Sequence, residues 1–289
     1  MSAKIINGTV IADNIKSNLK SIISSSACRK PCLTVVLVGD RKDSEVYVKM
    51  KEQSAHQIGI EFRLVKLDSS VSQALVEQQI VALNDDMTVD GIIIQLPLPA
   101  TMNASAITQT VLPEKDVDGF HPLNVGHLLL NDTPLFTSCT ARGVMVLIEK
   151  TGFYFKGKKV VLIGTGMVGK PLSMMLLRRD ATVMCCNKDT QNIEEIARQG
   201  DVIIAAAGCP LLVKKDWIKP GAIVIDVGIN SIRDQSRKSG FRLVGDVDFD
   251  EVSKVASFIT PVPGGVGPMT VAMLMTAVVE SWSARILNT

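Results

Sequence analysis

Residues 158–179 show the pattern of a strand, a glycine-rich turn and a helix. Val160 to Ile163 form an apolar, β-branched run, as expected of a strand buried on both faces. In the turn G-T-G-M-V-G that follows, the first glycine permits a tight bend, the second lets a pyrophosphate approach the backbone, and the third lets the helix pack closely on the strand. The N–H groups at the start of the helix then face the anion. The pattern predicts a dinucleotide-binding turn, with a tight turn that binds no ligand as the alternative. Its residues are Gly164, Thr165, Gly166, Met167, Val168 and Gly169.

Three other stretches follow predicted strands, at the edge where open α/β sheets bind ligands. Gln95 directly follows a buried strand, and the prolines after it fix a rigid exit. The segment Lys115 to Pro122 carries two carboxylates, Asp116 and Asp118. The segment Thr260 to Pro268 holds three glycines among three prolines, which suits a backbone that lies against a flat ligand. For the first two stretches, a proline-stiffened loop and a pair of capping carboxylates are the alternatives.

The apolar periodicity of the rest of the chain predicts how these residues are positioned. Strands and helices alternate in both halves, which is typical of parallel sheets with crossover helices. We therefore predict an α/β protein of two doubly wound parallel-sheet domains that flank a cleft, the second a Rossmann dinucleotide-binding domain. The first domain is predicted at 1–139, joined by a C-terminal helix at 269–289, and the second at 140–268.

The same periodicity places the individual elements. Asp43 and Ser44 are predicted to cap a helix that stops at Gly59, and residues 113–140 are predicted to be irregular. The predicted strands are 33–38, 63–67, 92–94, 160–163, 182–186, 202–206 and 222–226.

Composition argues against several classes of function. The 289 residues carry a net charge of +2 and include 4% aromatic residues, which gives no reason to expect binding to nucleic acid or to a membrane surface. Polar residues break every apolar run near the N-terminus, so neither a signal peptide nor a membrane span is predicted. The three histidines show no zinc-ligand spacing, and no metal is expected. Six cysteines without a C-x-x-C pair are typical of reduced thiols in a cytoplasmic protein.

Several strings along the chain resemble the bifunctional methylenetetrahydrofolate dehydrogenase/methenyltetrahydrofolate cyclohydrolase family. They are YVKMK (47–51), QLPLP (95–99), KDVDGFHPLNVG (115–126), VIDVGIN (224–230), GDV (245–247) and TPVPGGVGPMT (260–270). The resemblance covers essentially the whole chain. It implies oxidation of 5,10-methylenetetrahydrofolate with NADP, then hydrolysis of the methenyl product to 10-formyltetrahydrofolate, in purine biosynthesis. It also implies a homodimer formed through the dinucleotide domains. An enzyme with only one of the two activities, or a noncatalytic dinucleotide-binding protein, are the alternatives.

The resemblance assigns roles to individual residues. Lys51 falls at the family's catalytic lysine, and Tyr47 at its substrate-contacting tyrosine. Gln95 falls at the glutamine that partners the lysine, and Asp118 at the aspartate that binds the pterin. Tyr47 and Lys51 are four residues apart and therefore share a helix face. A lysine whose pKa is lowered by burial can exchange protons near neutrality. The resemblance further places Leu96, Pro97, Pro261, Gly264 and Gly265 against the substrate, and Ile229 against the cofactor.

The chain departs from the family's usual pattern in three places. Asn187 and Lys188 stand where histidine and serine are usual after the strand that follows the glycine turn. Ser138 and Ala141 stand where prolines are usual, which predicts a looser connection between the domains. Thr165 and Gly166 stand where the nucleotide turn usually has arginine and serine.

The choice of cofactor is predicted from the end of the strand that follows the glycine turn. That strand ends in Asn187-Lys188 without the carboxylate that binds the ribose of NAD. We therefore predict NADP as the cofactor, with NAD as the alternative, and Lys188 as a point charge for the 2′-phosphate. Asp189 is the counterargument, because a shift of one residue would direct its carboxylate at the ribose.

Overall fold

The computed structural model describes residues 2–130, 133–236 and 240–286. The chain divides into two compact units. One consists of Asp13–Cys139 and Val271–Thr289 and is called the 13–139 unit below. The other consists of Met1–Ala12 and Thr140–Thr270 and is called the 140–270 unit.

The described elements alternate between strands and helices along most of the chain. The strands are β1 (Lys4–Ile5), β2 (Cys32–Val38), β3 (Glu61–Leu67), β4 (Gly91–Ile94), β5 (Lys159–Ile163), β6 (Thr182–Cys186), β7 (Val202–Ala205), β8 (Ile223–Asp226), β9 (Asn230–Arg233), β10 (Phe241–Val244) and β11 (Phe258–Ile259). The helices are α1 (Gly8–Ser25), α2 (Lys42–Ile58), α3 (Gln73–Asp85), α4 (Ala104–Gln109), α5 (Pro122–Leu129), α6 (Cys139–Glu149), α7 (Gly169–Leu177), α8 (Ile193–Ala197), α9 (Phe249–Val252) and α10 (Val266–Ile286), with a 3-10 turn at Lys215–Trp217. None of the described helices is long and apolar enough to cross a membrane.

The 13–139 unit is built on a parallel sheet of three strands in the order β3-β2-β4. The central strand β2 is buried along its whole length, because its apolar, β-branched sequence faces helices on both sides of the sheet. In register, Val35 lies between Leu64 of β3 and Ile93 of β4. The predicted alternation of parallel strands and crossover helices is confirmed in this unit.

Helix α2 starts at Lys42, two residues earlier than a cap at Asp43 would place its first residue. Its N-cap is Arg41, which makes no side-chain cap, so the prediction that Asp43 and Ser44 cap the helix is wrong. Both residues lie inside the first turn, where the Asp43 carboxylate accepts the Ser44 N–H and the Arg41 guanidinium. The predicted stop is confirmed, since Gly59 takes a left-handed φ of 92° that closes the helix.

The stretch 113–140 is not wholly irregular, because it contains α5. His121 caps this helix by accepting the Leu123 N–H at Nδ1, and Pro122 occupies the first turn, where a missing N–H costs nothing. The prediction of an irregular segment is therefore wrong for 122–129 and for 139–140, where α6 begins, and residues 131–132 of that segment lie outside the described residues.

The 140–270 unit contains a parallel sheet of six strands in the order β1-β11-β8-β7-β5-β6. Its central strands β5, β7 and β8 are almost wholly buried. Strand β1 pairs in parallel with β11, with Lys4 opposite Phe258. The structure thus places residues 2–12 in this unit, whereas the predicted first domain of residues 1–139 included them.

Most of helix α10 belongs to the 13–139 unit. The Trp282 side chain is buried there, and its Nε1 donates to the carbonyl of Arg29 at 2.8 Å. The Ser281 hydroxyl donates to the carbonyl of Asp90 at 2.7 Å. The Arg29 guanidinium also donates two hydrogen bonds to the buried Asp90 carboxylate, so the helix is anchored on both members of an ion pair whose carboxylate is buried. The C-terminal helix predicted at 269–289 is confirmed as far as Ile286 and begins at Val266, and residues 287–289 lie outside the described residues.

Candidate functional site

The 13–139 unit joins Lys51 of α2 to Gln95 at the end of β4. The Lys51 ammonium donates to the Gln95 side-chain oxygen at 2.9 Å, and the Gln95 amide donates to the Leu96 carbonyl at 2.8 Å. The Gln95 backbone N–H donates to Val36 of the neighbouring strand, which fixes the residue to the sheet. Because Gln95 is buried and held from both sides, its oxygen can hold the lysine side chain in one position.

The charges around Lys51 change its acidity. Burial lowers the pKa of Lys51 below its usual range, and the nearby Asp118 carboxylate opposes that shift. Burial likewise raises the pKa of Asp118, while the Lys51 ammonium lowers it. The two groups are therefore close enough to interact electrostatically. A lysine with a lowered pKa gives up its proton more readily than an exposed one.

The backbone around Asp118 is held by its neighbours. The buried Asp116 carboxylate accepts the His121 N–H at 2.7 Å and the Asn124 amide at 3.1 Å, so it serves the loop. Gly119 has a φ of 74°, and a Cβ there would lie 2.3 Å from the Thr137 backbone. These contacts fix the peptide on both sides of Asp118, whose carboxyl is the one that interacts with Lys51.

Lys115 is a buried residue whose position the sequence did not predict. Its ammonium donates to three backbone carbonyls at the end of α3, those of Leu83, Asn84 and Asp86, at 2.7 to 2.9 Å. Burial lowers the pKa of Lys115 to about 8. Its backbone carbonyl also accepts the N–H of Ile92 in β4. The side chain therefore ties the loop that carries Asp118 to a helix end, and a lone lysine in a sequence gives no signal of this role.

Tyr47 lies one turn before Lys51 on α2 and is 47% exposed. Its spacing places it on the helix face that also carries Lys51. The Leu96–Pro97 peptide bond after Gln95 is cis. The predicted substrate residues of this unit, which the structure gathers around α2 and the end of β4, are Tyr47, Lys51, Gln95, Leu96, Pro97 and Asp118.

In the 140–270 unit the glycine turn links β5 to α7, as predicted. Gly164 has a φ of 110°, and a Cβ there would lie 2.1 Å from the Ala206 carbonyl oxygen. A Cβ at Gly169 would lie 2.1 Å from the Gly164 carbonyl oxygen. At Gly166 a Cβ would meet nothing within 4 Å. The fold therefore requires the first and third glycines, whereas the second leaves open space beside the start of a helix, which fits an approaching pyrophosphate.

Lys188 lies just after β6, the strand next to β5 in the sheet. The Gly164 N–H donates to the carbonyl of Cys186, so the glycine turn and the end of β6 are directly joined. The side chains of Lys188 and Asp189 are both exposed, and Asn187 accepts the Asp189 N–H in a tight turn. Both charged side chains therefore face solvent just after β6, the strand whose end was used to predict the cofactor.

The proline-glycine segment before α10 also has a tightly defined backbone. Gly264 has a φ of 104°, and its carbonyl accepts the N–H of Thr9. A Cβ at Gly265 would lie 2.6 Å from the carbonyl oxygen of Pro261. Ile229, which follows β8, is 50% exposed. The 140–270 unit therefore contains the remaining predicted site residues, which are those of the 164–169 turn, Lys188, Ile229, Pro261, Gly264 and Gly265.

Two buried aspartates in the same unit, Asp226 and Asp246, had no predicted role. Both lie in strings that carried the resemblance, but the burial of a carboxylate depends on partners that only the fold brings close. For metals, no group of three or more His, Cys, Asp or Glu side chains that could hold an ion occurs in residues 2–130, 133–236 and 240–286.

The sequence matches two family models that together span most of the chain. Residues 6–118 match the tetrahydrofolate dehydrogenase/cyclohydrolase catalytic domain. Residues 138–286 match the tetrahydrofolate dehydrogenase/cyclohydrolase NAD(P)-binding domain.

Individual proteins resemble the chain over nearly its full length. It is 47% identical over 284 residues to bifunctional protein FolD 2 of Arabidopsis thaliana, which covers 96% of this chain and 95% of the relative. The crystal structure of the FolD methylenetetrahydrofolate dehydrogenase/cyclohydrolase of Campylobacter jejuni is similar with a TM-score of 0.93 and 42% identity, over 98% of this chain and 100% of that one. FolD of Trypanosoma brucei, complexed with NADP cofactor and inhibitor, has a TM-score of 0.94 and 38% identity over 99% of both chains.

Proposed function

The chain belongs to the tetrahydrofolate dehydrogenase/cyclohydrolase family, and on that premise we propose that Lys51, held by Gln95, manages the protons of its reactions. The enzyme oxidises 5,10-methylenetetrahydrofolate to the methenyl form with NADP and hydrolyses that product to 10-formyltetrahydrofolate. The observation that carries the proposal is the 2.9 Å hydrogen bond from the Lys51 ammonium to the Gln95 oxygen. Burial makes that ammonium a better proton donor than an exposed lysine.

In the hydrolytic step, water adds to the methenyl carbon and one carbon–nitrogen bond of the ring opens. Lys51 accepts a proton from the attacking water when neutral and returns it to the departing ring nitrogen when charged, while the second proton of that water leaves to solvent as the formyl carbonyl forms. Gln95 keeps the lysine nitrogen in place by accepting a hydrogen bond from it at its side-chain oxygen. Tyr47 lines the pocket beside them with its exposed ring. Leu96 and Pro97 shape the exit of β4 against the substrate.

Asp118 holds the pterin. Its carboxylate has two oxygens that suit the amino group and the ring N–H of a pterin, which are two donors side by side. Burial raises the pKa of Asp118, and the Lys51 ammonium opposes that shift and so favours the ionised form that accepts these hydrogen bonds. Pro261, Gly264 and Gly265 of the 140–270 unit are assigned to substrate binding through their backbone, which suits a flat ligand.

NADP accepts the hydride that leaves the one-carbon bridge in the oxidative step. The open space at Gly166 and the start of α7 fit its pyrophosphate, and the turn that holds it runs from Gly164 to Gly169. Ile229 covers the cofactor from the end of β8. Lys188 pairs with the 2′-phosphate, which would account for NADP as cofactor in the absence of an arginine in the turn.

The assembly and location of the enzyme belong to the same proposal. The chain forms a homodimer through its 140–270 unit, and the exposed Phe241 and Leu243 of the β9–β10 hairpin support an interface there. It acts in the cytoplasm, which the absence of disulfides among its six cysteines supports. Its product is a formyl donor of the kind that purine biosynthesis consumes.

The proposal is tested by absorbance with the purified enzyme. We expect methylenetetrahydrofolate and NADP to yield NADPH, with a methenyl intermediate that decays as the formyl product forms. Faster turnover with NAD would contradict the cofactor assignment. A protein that forms methenyltetrahydrofolate without accelerating its decay would be the single-activity alternative, and one that binds NADP without turnover would be the noncatalytic alternative.

A further inference from the structure

The 140–270 unit contains two buried carboxylates, and one of them, Asp226, holds the backbone of the other, Asp246. Asp246, whose side chain is fully buried, accepts the backbone N–H groups of Ala207 at 2.7 Å and Gly208 at 2.9 Å through Oδ2. Its Oδ1 accepts the side-chain amide of Asn230 at 2.8 Å. One carboxylate thus joins the segment after β7 to the segment after β8.

Asp226, the last residue of β8, places Asp246 in turn. Its Oδ1 accepts the N–H groups of Gly228 at 3.0 Å and Asp246 at 2.9 Å, and its Oδ2 accepts that of Val247 at 2.9 Å. A Cβ at Gly245 would lie 1.8 Å from the Asp226 carboxylate. Burial raises the pKa of Asp226 to about 6, so the group is largely ionised at neutral pH and can accept all three donors.

The segments that these carboxylates hold border the predicted cofactor site. Ala206, next to Ala207, is the residue whose carbonyl oxygen touches Gly164 so closely that no side chain fits there. Ile229 lies between Gly228 and Asn230, which are both held by the aspartates. A shift of either carboxylate would therefore move the backbone at the glycine turn or at Ile229.

We propose that Asp246 and Asp226 are positioning residues for the bound dinucleotide, which they serve through the backbone of the segments after β7 and β8 without touching it. The inference rests on the proposed function, in which the 164–169 turn holds NADP. The carboxylates align the segments after β7 and β8, and these segments then meet the cofactor in a fixed geometry. Because backbone N–H groups supply most of the donors, a changed acceptor displaces the loop itself.

This role is tested by exchanging the two side chains that face each other, the Asn230 amide and the Asp246 carboxylate. Asn230→Asp sets two carboxylates against each other at a distance of hydrogen-bond length, and we expect the Kd for NADP to rise on the order of 10-fold or more. Asp246→Asn sets two amides against each other, and a smaller rise is expected because the Asn230 amide can rotate. The double variant restores a carboxylate opposite an amide, and its Kd should return to within about 3-fold of wild type.

The measurements separate positioning from general stability. NADP binding is measured by calorimetry, and the ratio of the dehydrogenase rate to the cyclohydrolase rate is measured for each variant. We expect the KM for NADP to rise and this ratio to fall, since methenyl hydrolysis uses no nucleotide, whereas a purely structural role would lower both rates in parallel. Asn230→Ala, which keeps the carboxylate and its two backbone donors, is the milder variant if Asn230→Asp does not fold, and it should raise the Kd in the same direction.

Asp201→Asn is the matched control. The Asp201 carboxylate also accepts a backbone N–H, that of Lys159, and pairs with Lys219, but it precedes β7 at the opposite end of the strand. We expect its Kd for NADP to equal that of wild type. An unchanged Kd in Asn230→Asp would overturn the inference, and so would a double variant whose Kd is no lower than that of the single variants. In both cases NADP binding by the wild type would still uphold the proposed function. Wild-type protein that does not bind NADP would overturn both.

Discussion

The two units prepare their parts of the site by different means. In the 13–139 unit the predicted chemistry depends on side chains, since Lys51 and Gln95 are joined by a hydrogen bond and Asp118 acts on Lys51 through charge. In the 140–270 unit it depends on the backbone, where Gly164 and Gly169 permit approaches that no other residue allows. Substitutions should therefore change chemistry in the first unit with little effect on folding, and should change shape in the second.

The largest effect is expected at Lys51. Lys51→Met removes the group that exchanges protons, and we expect methenyl hydrolysis to fall by about 10²–10⁴-fold. NADP affinity, measured by calorimetry, should stay within a factor of two because the glycine turn belongs to the other unit. Lys49→Met is the control, since Lys49 is an exposed lysine of the same helix. A rate near that of wild type would show that Lys51 is not the proton-handling group.

The glycine turn should separate stability from binding. Gly164→Ala forces a Cβ against the Ala206 carbonyl at a left-handed φ, so we expect a loss of roughly 1–3 kcal/mol or more in the free energy of unfolding. Gly166→Ala places its methyl in open space and should leave the melting temperature close to that of wild type. Its Kd for NADP should nevertheless rise, because the methyl occupies the path of the pyrophosphate. Equal NADP affinity in Gly166→Ala and wild type would argue against a pyrophosphate there.

Asp118→Ala should weaken folate binding more than NADP binding. The lost acceptor leaves the pterin donors unpaired, at a cost of about 1–3 kcal/mol. Calorimetric titration of both ligands measures the difference, with Asp43→Ala as an exposed-carboxylate control on α2. Equal losses for the two ligands would indicate that Asp118 serves the structure of its loop.

The smallest effect is expected at Lys188. Since the side chain is exposed, its pairing with a 2′-phosphate is worth about 1 kcal/mol or less. Lys188→Ala should therefore lower the preference for NADP over NAD by about 5-fold, as measured by kcat/KM for each cofactor. A preference that does not change would remove Lys188 from the cofactor site.

The same contrast explains what the sequence could predict. The buried strands β2, β5 and β8 have continuous apolar runs, and they were found where predicted. The β9–β10 hairpin was missed because its strands are largely exposed and show no such run. Two-residue strand β1 was missed because it is too short to show a pattern.

The site shows the same limit at the level of single side chains. The glycine spacing and the strings around Lys51 and Gln95 gave predictions that needed no knowledge of the fold. Lys115, Asp226 and Asp246 could not be assigned, because each owes its burial to partners far away in sequence. His121 was missed as a helix cap because a histidine is an uncommon residue at that position.

The central claim is that Lys51 exchanges protons from a pKa lowered by burial while Gln95 holds it, and a pH–rate profile tests it most directly. After subtraction of the uncatalysed reaction, we expect the pH–rate profile of methenyl hydrolysis by wild type to show the titration of Lys51. Its midpoint should lie below the usual lysine pKa of about 10.4. In Gln95→Glu a carboxylate replaces the amide oxygen 2.9 Å from the Lys51 nitrogen, which favours the ammonium, so this pH should move upward. A titration at the same pH in wild type, Gln95→Glu and Lys51→Met would contradict the account.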